Sequence, residues 1–285
     1  MMTSDWPKSG IRTRVFGVLS VGLVVAESGL VVMHPWGAAS LDAANYAGLF
    51  VTVIAIAMAV WSAFAYSDKR IIALSMLMAA GISLRAFGLL KFTYRVPAIP
   101  PLTPDPVTRW VLYAAYACLF GGLLGSAFGL GSRVHAQRPA LLALGTTLLL
   151  GAVFGAAAYA PLPALATVLT ARDEFAIALL VGDLLLLGLA SFVMFALLEV
   201  PGGALSRAWV WLFVGLMLAA AGDSVFPLLE PVDTTMYTSL LWGGAYALVG
   251  IGASLSVDIM RWHASRGETV NRYGVEVIER SPEDA

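Results

Sequence analysis

The apolar residues of this chain fall into separate runs of about twenty, with turn-forming or charged residues between them. A helix of that length spans a hydrocarbon layer roughly 30 Å thick. Backbone N–H and C=O groups in that layer have no water to bond, so the runs must be helices. Composition agrees. Hydrophobic residues make up 59% of the 285 and charged residues 12%, about half the charged share that wets a soluble domain. The sequence therefore predicts an all-α integral membrane protein with eight transmembrane helices.

The spans are expected at 13–33, 46–66, 71–92, 109–131, 139–160, 174–199, 208–229 and 236–259. Between them stand breakers such as His34-Pro35-Trp36-Gly37, Ser67-Asp68-Lys69-Arg70, Gln137-Arg138-Pro139, Pro201-Gly202-Gly203 and Glu230-Pro231-Val232-Asp233. The connection from Thr93 to Thr108 holds Pro97, Pro100, Pro101, Pro104 and Pro106 and reads as an extended external loop. The chain divides into an N-terminal segment over 1–12, a bundle over 13–260 and a short tail over 261–285. The tail is shorter than the roughly 50 residues a folded catalytic domain needs.

Basic residues set the expected orientation. With the N-terminus inside, the inner segments hold Lys8, Arg12, Arg14, Lys69, Arg70, Arg133, Arg138, Arg207, Arg261, Arg266 and Arg272. The outer ones hold Arg95, Arg109 and Arg172. Both ends are thus expected in the cytoplasm, with Trp61, Tyr66, Trp110, Trp209 and Trp262 as interfacial anchors. A second reading of span one is a signal peptide, with Arg12 and Arg14 ahead of an apolar stretch and Gly37-Ala38-Ala39-Ser40 behind it. Gly121, Gly125 and Gly129, Gly151 with Gly155, and Gly250 with Ser254 form small-xxx-small stripes, expected to pack helices within one molecule.

Several chemistries are excluded. Cys118 is the one cysteine, so a disulfide or multi-thiol metal site within the chain is not available. His34, His135 and His263 lie at span ends or in loops, where they do not supply axial ligands to a membrane haem. There is no HExxH and no paired Ser/His. The last spans lack a lysine placed to form a retinal Schiff base. No catalytic set, metal or cofactor is expected, nucleic acid is not an expected partner, and an enzyme is the least favoured class.

Charges inside a span cost roughly 2.5–3.5 kcal/mol each at its centre and call for a functional hypothesis. Glu27, Arg85, Asp183 and Asp223 are such residues. Counting 1.5 Å per residue from the span ends puts all four roughly 9–14 Å below the outer surface. Lys91 stands nearer that surface and is able to snorkel outward. Tyr113, Tyr116, Trp242 and Tyr246 share the depth of the four charges. An outward-facing ligand pocket is therefore expected at Glu27, Arg85, Asp183, Asp223, Tyr116, Trp242 and Tyr246. The bland alternative is a buried ion pair that only fixes helix register.

The last three spans carry Val181-Gly182-Asp183-Leu184-Leu185-Leu186-Leu187, then Ala221-Gly222-Asp223-Ser224-Val225-Phe226, then Trp242-Gly243-Gly244-Ala245-Tyr246-Ala247-Leu248-Val249-Gly250. This order resembles the eight-helix membrane domain at the N-termini of many actinobacterial GGDEF/EAL proteins, which make or degrade cyclic di-GMP. The family pattern has an Asp early in helix six, an Asp late in helix seven and Trp-x-x-x-Tyr-x-x-x-Gly in helix eight, matched here by Asp183, Asp223, Trp242, Tyr246 and Gly250. The likeness covers about the last third of the chain. It implies a sensory module in the plasma membrane of a prokaryote. Two departures stand beside it. No GGDEF or EAL domain follows Arg261, so nucleotide chemistry is not carried over. Arg85 and Lys91 occupy span three, where the family has an Asp.

The leading expectation is a sensory or ligand-binding module in the lipid bilayer. It would take a small amphipathic or cationic molecule from the outer side and signal through a membrane or cytoplasmic partner protein. The rivals are a small-molecule or ion transporter, which the scarcity of charge in the inner halves of the spans disfavours, and a structural subunit of a membrane complex.

Overall fold

The computed structural model of the chain describes residues 10–33, 38–66, 68–95, 106–131, 137–159, 174–199, 205–225, 231–265, 268–271 and 274–277. Among these residues eight helices follow in order: α1 (Ile11–Met33), α2 (Ala38–Ala63), α3 (Lys69–Arg95), α4 (Pro106–Gly131), α5 (Gln137–Tyr159), α6 (Glu174–Glu199), α7 (Leu205–Val225) and α8 (Pro231–Ser265). Seven are long and apolar enough to cross a membrane. The eighth, α5, has 23 residues, with a shorter apolar stretch described over Gln137–Val153. The helical membrane bundle expected from the sequence is the one observed.

The helices are apolar nearly all round, so the hydrophobic pattern does not tell an inner face from an outer one. Large residues such as Val18 (76% exposed), Phe50 (65%) and Leu148 (65%) point outward, as a lipid solvent allows. Small residues face inward, with Ala55, Ala79, Ala115, Ala190, Ala196 and Ala220 all buried. Without a hydrophobic force between helices in lipid, small side chains let backbones come close enough for dispersion to hold them.

Six helices close a ring in the order α2, α3, α4, α6, α7, α8 and back to α2. Helix α1 packs against both α2 and α8, and α5 packs on α6. Glycines make the tightest seams. A Cβ on Gly81 would stand 2.9 Å from the Ala115 carbonyl oxygen, and one on Gly122 would stand 3.1 Å from that of Leu74. Between α7 and α8, Gly252 lies in the same way 2.7 Å from the Ala208 oxygen. The expected stripe on span four does pack within the molecule, Gly121 against Leu77 and Gly125 against Leu74. The α4 glycine that meets the backbone of α3, however, is the stripe's neighbour Gly122. Gly151 makes only ordinary contact with Leu184, at 3.7 Å.

At the end of the bundle where α1 begins, α8 caps it. The Asp258 Oδ2 accepts hydrogen bonds from the Gly10 N–H (2.6 Å) and the Thr13 hydroxyl (2.5 Å), and the Thr13 and Ser254 hydroxyls are 2.7 Å apart. A carboxylate from another helix thus does the work of an N-cap side chain. Nearby, the guanidinium carbons of Arg12 and Arg261 stand 5.8 and 5.0 Å from the Trp61 ring centre.

Most helix ends fall within a few residues of expectation, and two differ by more. Helix α2 begins at Ala38, eight residues early, and α8 runs 35 residues from Pro231 to Ser265. At 1.5 Å per residue α8 is about 52 Å long, well beyond the hydrocarbon thickness. Pro231 suits the first helical position, where its missing N–H is not needed. Residues 261–265 of the tail are therefore helical, and an antiparallel pair follows, β1 (Glu268–Asn271) with β2 (Gly274–Val277), in register Glu268 to Val277. Of the proline-rich connection, expected to be extended throughout, 93–95 belong to α3 and 106–108 to α4, since Pro106 can open a helix at its first position; residues 96–105 lie outside the described residues, as do 34–37 and 132–136.

Candidate functional site

Five helices send one polar side chain each to a common point inside the ring. Arg85 on α3 is 4% exposed, and its Nη1 donates to Asp183 Oδ1 on α6 at 3.2 Å. Its Nη2 donates to Asp223 Oδ2 on α7 at 2.6 Å. The fork of the guanidinium suits this double engagement, which a lysine could not reproduce. Tyr116 on α4 donates its hydroxyl to Asp183 Oδ1 at 2.6 Å, and its oxygen is 3.2 Å from Asp223 Oδ2. Its ring centre lies 5.3 Å from the Arg85 guanidinium carbon. Trp242 on α8 donates its indole N–H to Asp223 Oδ1 at 2.9 Å.

Depth explains why four of these residues meet. Arg85 stands ten residues before the end of α3, while Tyr116, Asp183 and Trp242 stand ten, nine and eleven residues after the starts of α4, α6 and α8. Successive helices run in opposite directions, so all four counts are taken from the same end of the bundle.

Glycines then set the direction of approach. Gly182, beside Asp183, has the Tyr116 ring where its Cβ would be, 2.7 Å from Cδ1 and Cε1. Gly222, beside Asp223, has the Trp242 indole there, 2.7 Å from Nε1. Each Gly-Asp pair thus joins an acceptor to the gap that admits its aromatic donor. That signal was readable in Gly182-Asp183 and Gly222-Asp223, and the expectation from the sequence did not use it.

The charges do not balance. One guanidinium faces two carboxylates, a formal −1 in a site where the paired side chains are 3–7% exposed. Tyr116 has a single hydroxyl hydrogen for two acids. After Arg85, Tyr116 and Trp242 have donated, Asp183 Oδ2 has no hydrogen-bond partner, and neither does the hydroxyl of Tyr246. Tyr246 lines a cavity of about 30 Å³ together with Arg85, Trp242, Leu119 and Leu216. That space holds one or two waters or an ion of similar size. A drug-sized ligand needs roughly ten times as much or more.

Glu27 does not belong to this group. It is 0% exposed on α1, and its carboxyl packs against Gly48 of α2 and Gly243 of α8. Equal depth did not bring it to Arg85, because α1 packs on α2 and α8 from outside the ring. Tyr113 also stands apart, 37% exposed and in ring contact with Trp110 and Phe175. The side chain of Lys91 lies outside the described residues. Among the described residues no group of three His, Cys, Asp or Glu side chains is placed to hold a metal ion.

No known protein family, curated protein or solved structure matches the chain.

Proposed function

We propose that this protein is a membrane-embedded sensory module whose ligand is a small cation, bound from the outer side at Arg85, Asp183 and Asp223. The observation that carries the reading is the unmatched negative charge of the cluster. One carboxylate oxygen and one tyrosine hydroxyl are left over, and the tyrosine lines a cavity of water size together with Arg85 and Trp242. An ammonium-sized cation would supply the missing charge, with Trp242 and Tyr246 beside it. The resemblance of Asp183, Asp223, Trp242, Tyr246 and Gly250 to the sensory domains of GGDEF/EAL proteins points the same way, and the bias of basic residues would put the cluster toward the outer face of a prokaryotic plasma membrane.

Helix α8 is the proposed output element. Trp242 binds Asp223 at one level of it, and Ser265 lies 23 residues further on, about 35 Å away along a continuous helix. A shift at the indole would move the Arg261–His263 end, where a partner protein would read it.

The test is thermal unfolding of the purified protein in lipid nanodiscs with ammonium or methylammonium, against sodium at equal ionic strength. Wild type should be stabilised by the ammonium ions and the Asp183→Asn variant should not. An equal response of both proteins would leave the cluster as a structural pin.

A further inference from the structure

The carboxyl of Glu27 is the one acid among the described residues with both oxygens buried and both without a hydrogen-bond partner. Its surroundings are built for it. An alanine Cβ at position 48 would stand 2.8 Å from Oε1, and one at position 243 would stand 2.7 Å from Oε2. Only glycine leaves room for the carboxyl on either side, so α2 and α8 form the two walls of a slot that Glu27 fills. The groups facing the oxygens there are C–H groups, which solvate an anion poorly.

Among the described residues no cation stands beside it. On α1 the charged groups are Arg12 and Arg14, the latter 13 residues away, about 20 Å along the axis. On α2, Tyr46 is 65% exposed, and the side chain of Asp42 lies outside the described residues. On α8, Tyr246 lines the Arg85 cavity, Asp258 and Arg261 are 15 and 18 residues from Gly243, and His263 is further still. The side chains of Asp233 and Tyr237, on the opposite side of Gly243, lie outside the described residues. An ionised carboxylate buried without a partner is among the costliest groups a fold can hold, and a carboxylic acid removes that cost by keeping its proton.

We infer that Glu27 is a proton-binding site in its own right, a carboxylic acid seated in a two-glycine slot between α2 and α8 and separate from the Arg85 cluster. The ligand is a proton taken from water that reaches the seam when α1 moves off its neighbours. Losing it would leave an anion that the slot cannot solvate, so release of the proton and separation of α1 from α2 and α8 are one event. Gly243 adjoins Trp242, which gives the site a route to the cluster. Proton binding at Glu27 does not depend on what the cluster binds.

Infrared spectroscopy of the protein in lipid tests it. At neutral pH wild type should show the C=O stretch of an undissociated acid that the Glu27→Gln variant lacks, and the band should shift on transfer to D2O. Glutamine has the size and neutrality of the protonated acid, so the variant should fold. Identical wild-type and variant spectra in the acid region would mean that Glu27 is ionised and would overturn the inference. A Glu27-dependent band that never shifts in D2O would overturn it as well, since a sealed acid is not a binding site. Should the variant not fold, reaction of wild type with dicyclohexylcarbodiimide decides. The O–H of an undissociated acid adds across a C=N bond, and acyl transfer to nitrogen then leaves a stable N-acylurea. An adduct mapped to Glu27 supports the site, and unmodified Glu27 refutes it.

Discussion

Replacing Arg85 with glutamine removes both charge-assisted bonds of the cluster, at 3.2 and 2.6 Å. It also leaves two carboxylates side by side, buried, with only Tyr116 and Trp242 donating to them. Breaking a buried pair by deleting one partner costs about 3–5 kcal/mol, because the survivor is an uncompensated charge. Here there are two survivors, so the upper part of that range is expected. Asp183→Asn changes the cluster in the opposite sense. One guanidinium then faces one carboxylate, the formal charge falls from −1 to 0, and the amide oxygen still accepts from Tyr116. Its cost should stay below about 1.5 kcal/mol, the net worth of an ordinary hydrogen bond. Equilibrium unfolding in mixed micelles, followed by tryptophan fluorescence, gives both values. The difference between the two variants is the informative quantity, and about 2 kcal/mol or more is expected. An Arg85→Gln cost under about 1 kcal/mol, or an Asp183→Asn cost equal to it, would refute the charge count.

Gly182→Ala and Gly222→Ala should each cost about 1–3 kcal/mol in the same assay, since the new methyl collides with the Tyr116 or Trp242 ring. Gly17→Ala and Gly22→Ala, with nothing within 4 Å of the new methyl, should be neutral or stabilising. Tyr116→Phe removes the hydroxyl bond to Asp183 (2.6 Å) and should cost about 1–3 kcal/mol, less than Arg85→Gln. Asp258→Ala strips the acceptor from Gly10 N–H and Thr13. It should cost about 0.5–2 kcal/mol and show as faster amide exchange confined to the first turn of α1.

Depth was legible in the sequence and direction was not. The rise of 1.5 Å per residue turns a position in a span into a level in the bilayer, which was enough to place Arg85, Asp183, Asp223, Tyr116 and Trp242 together. Which neighbour a side chain faces depends on the ring order of the helices, and runs apolar all round carry no stripe to reveal it. For that reason Glu27 was grouped with Arg85, although α1 lies outside the ring. Glycines hold the missing information. Gly182 and Gly222 sit beside the acids whose aromatic donors they admit, and Gly48 and Gly243 leave room for Glu27. The pair β1–β2 was overlooked for another reason. Alternation in Thr269-Val270-Asn271 and Gly274-Val275-Glu276-Val277 is a strand signal, but each strand has only four residues, and a charged tail masks so short a pattern.

The central claim is that the unmatched charge at Arg85, Asp183 and Asp223 takes up a small cation from the outer side. The most direct measurement is Trp242 fluorescence, taken as wild type minus Trp242→Phe, in vesicles with the outer face exposed and methylammonium added outside. The account predicts a saturable change that is lost in the Asp183→Asn, Asp223→Asn double variant. A signal that does not respond, or that responds equally in the double variant, would contradict it.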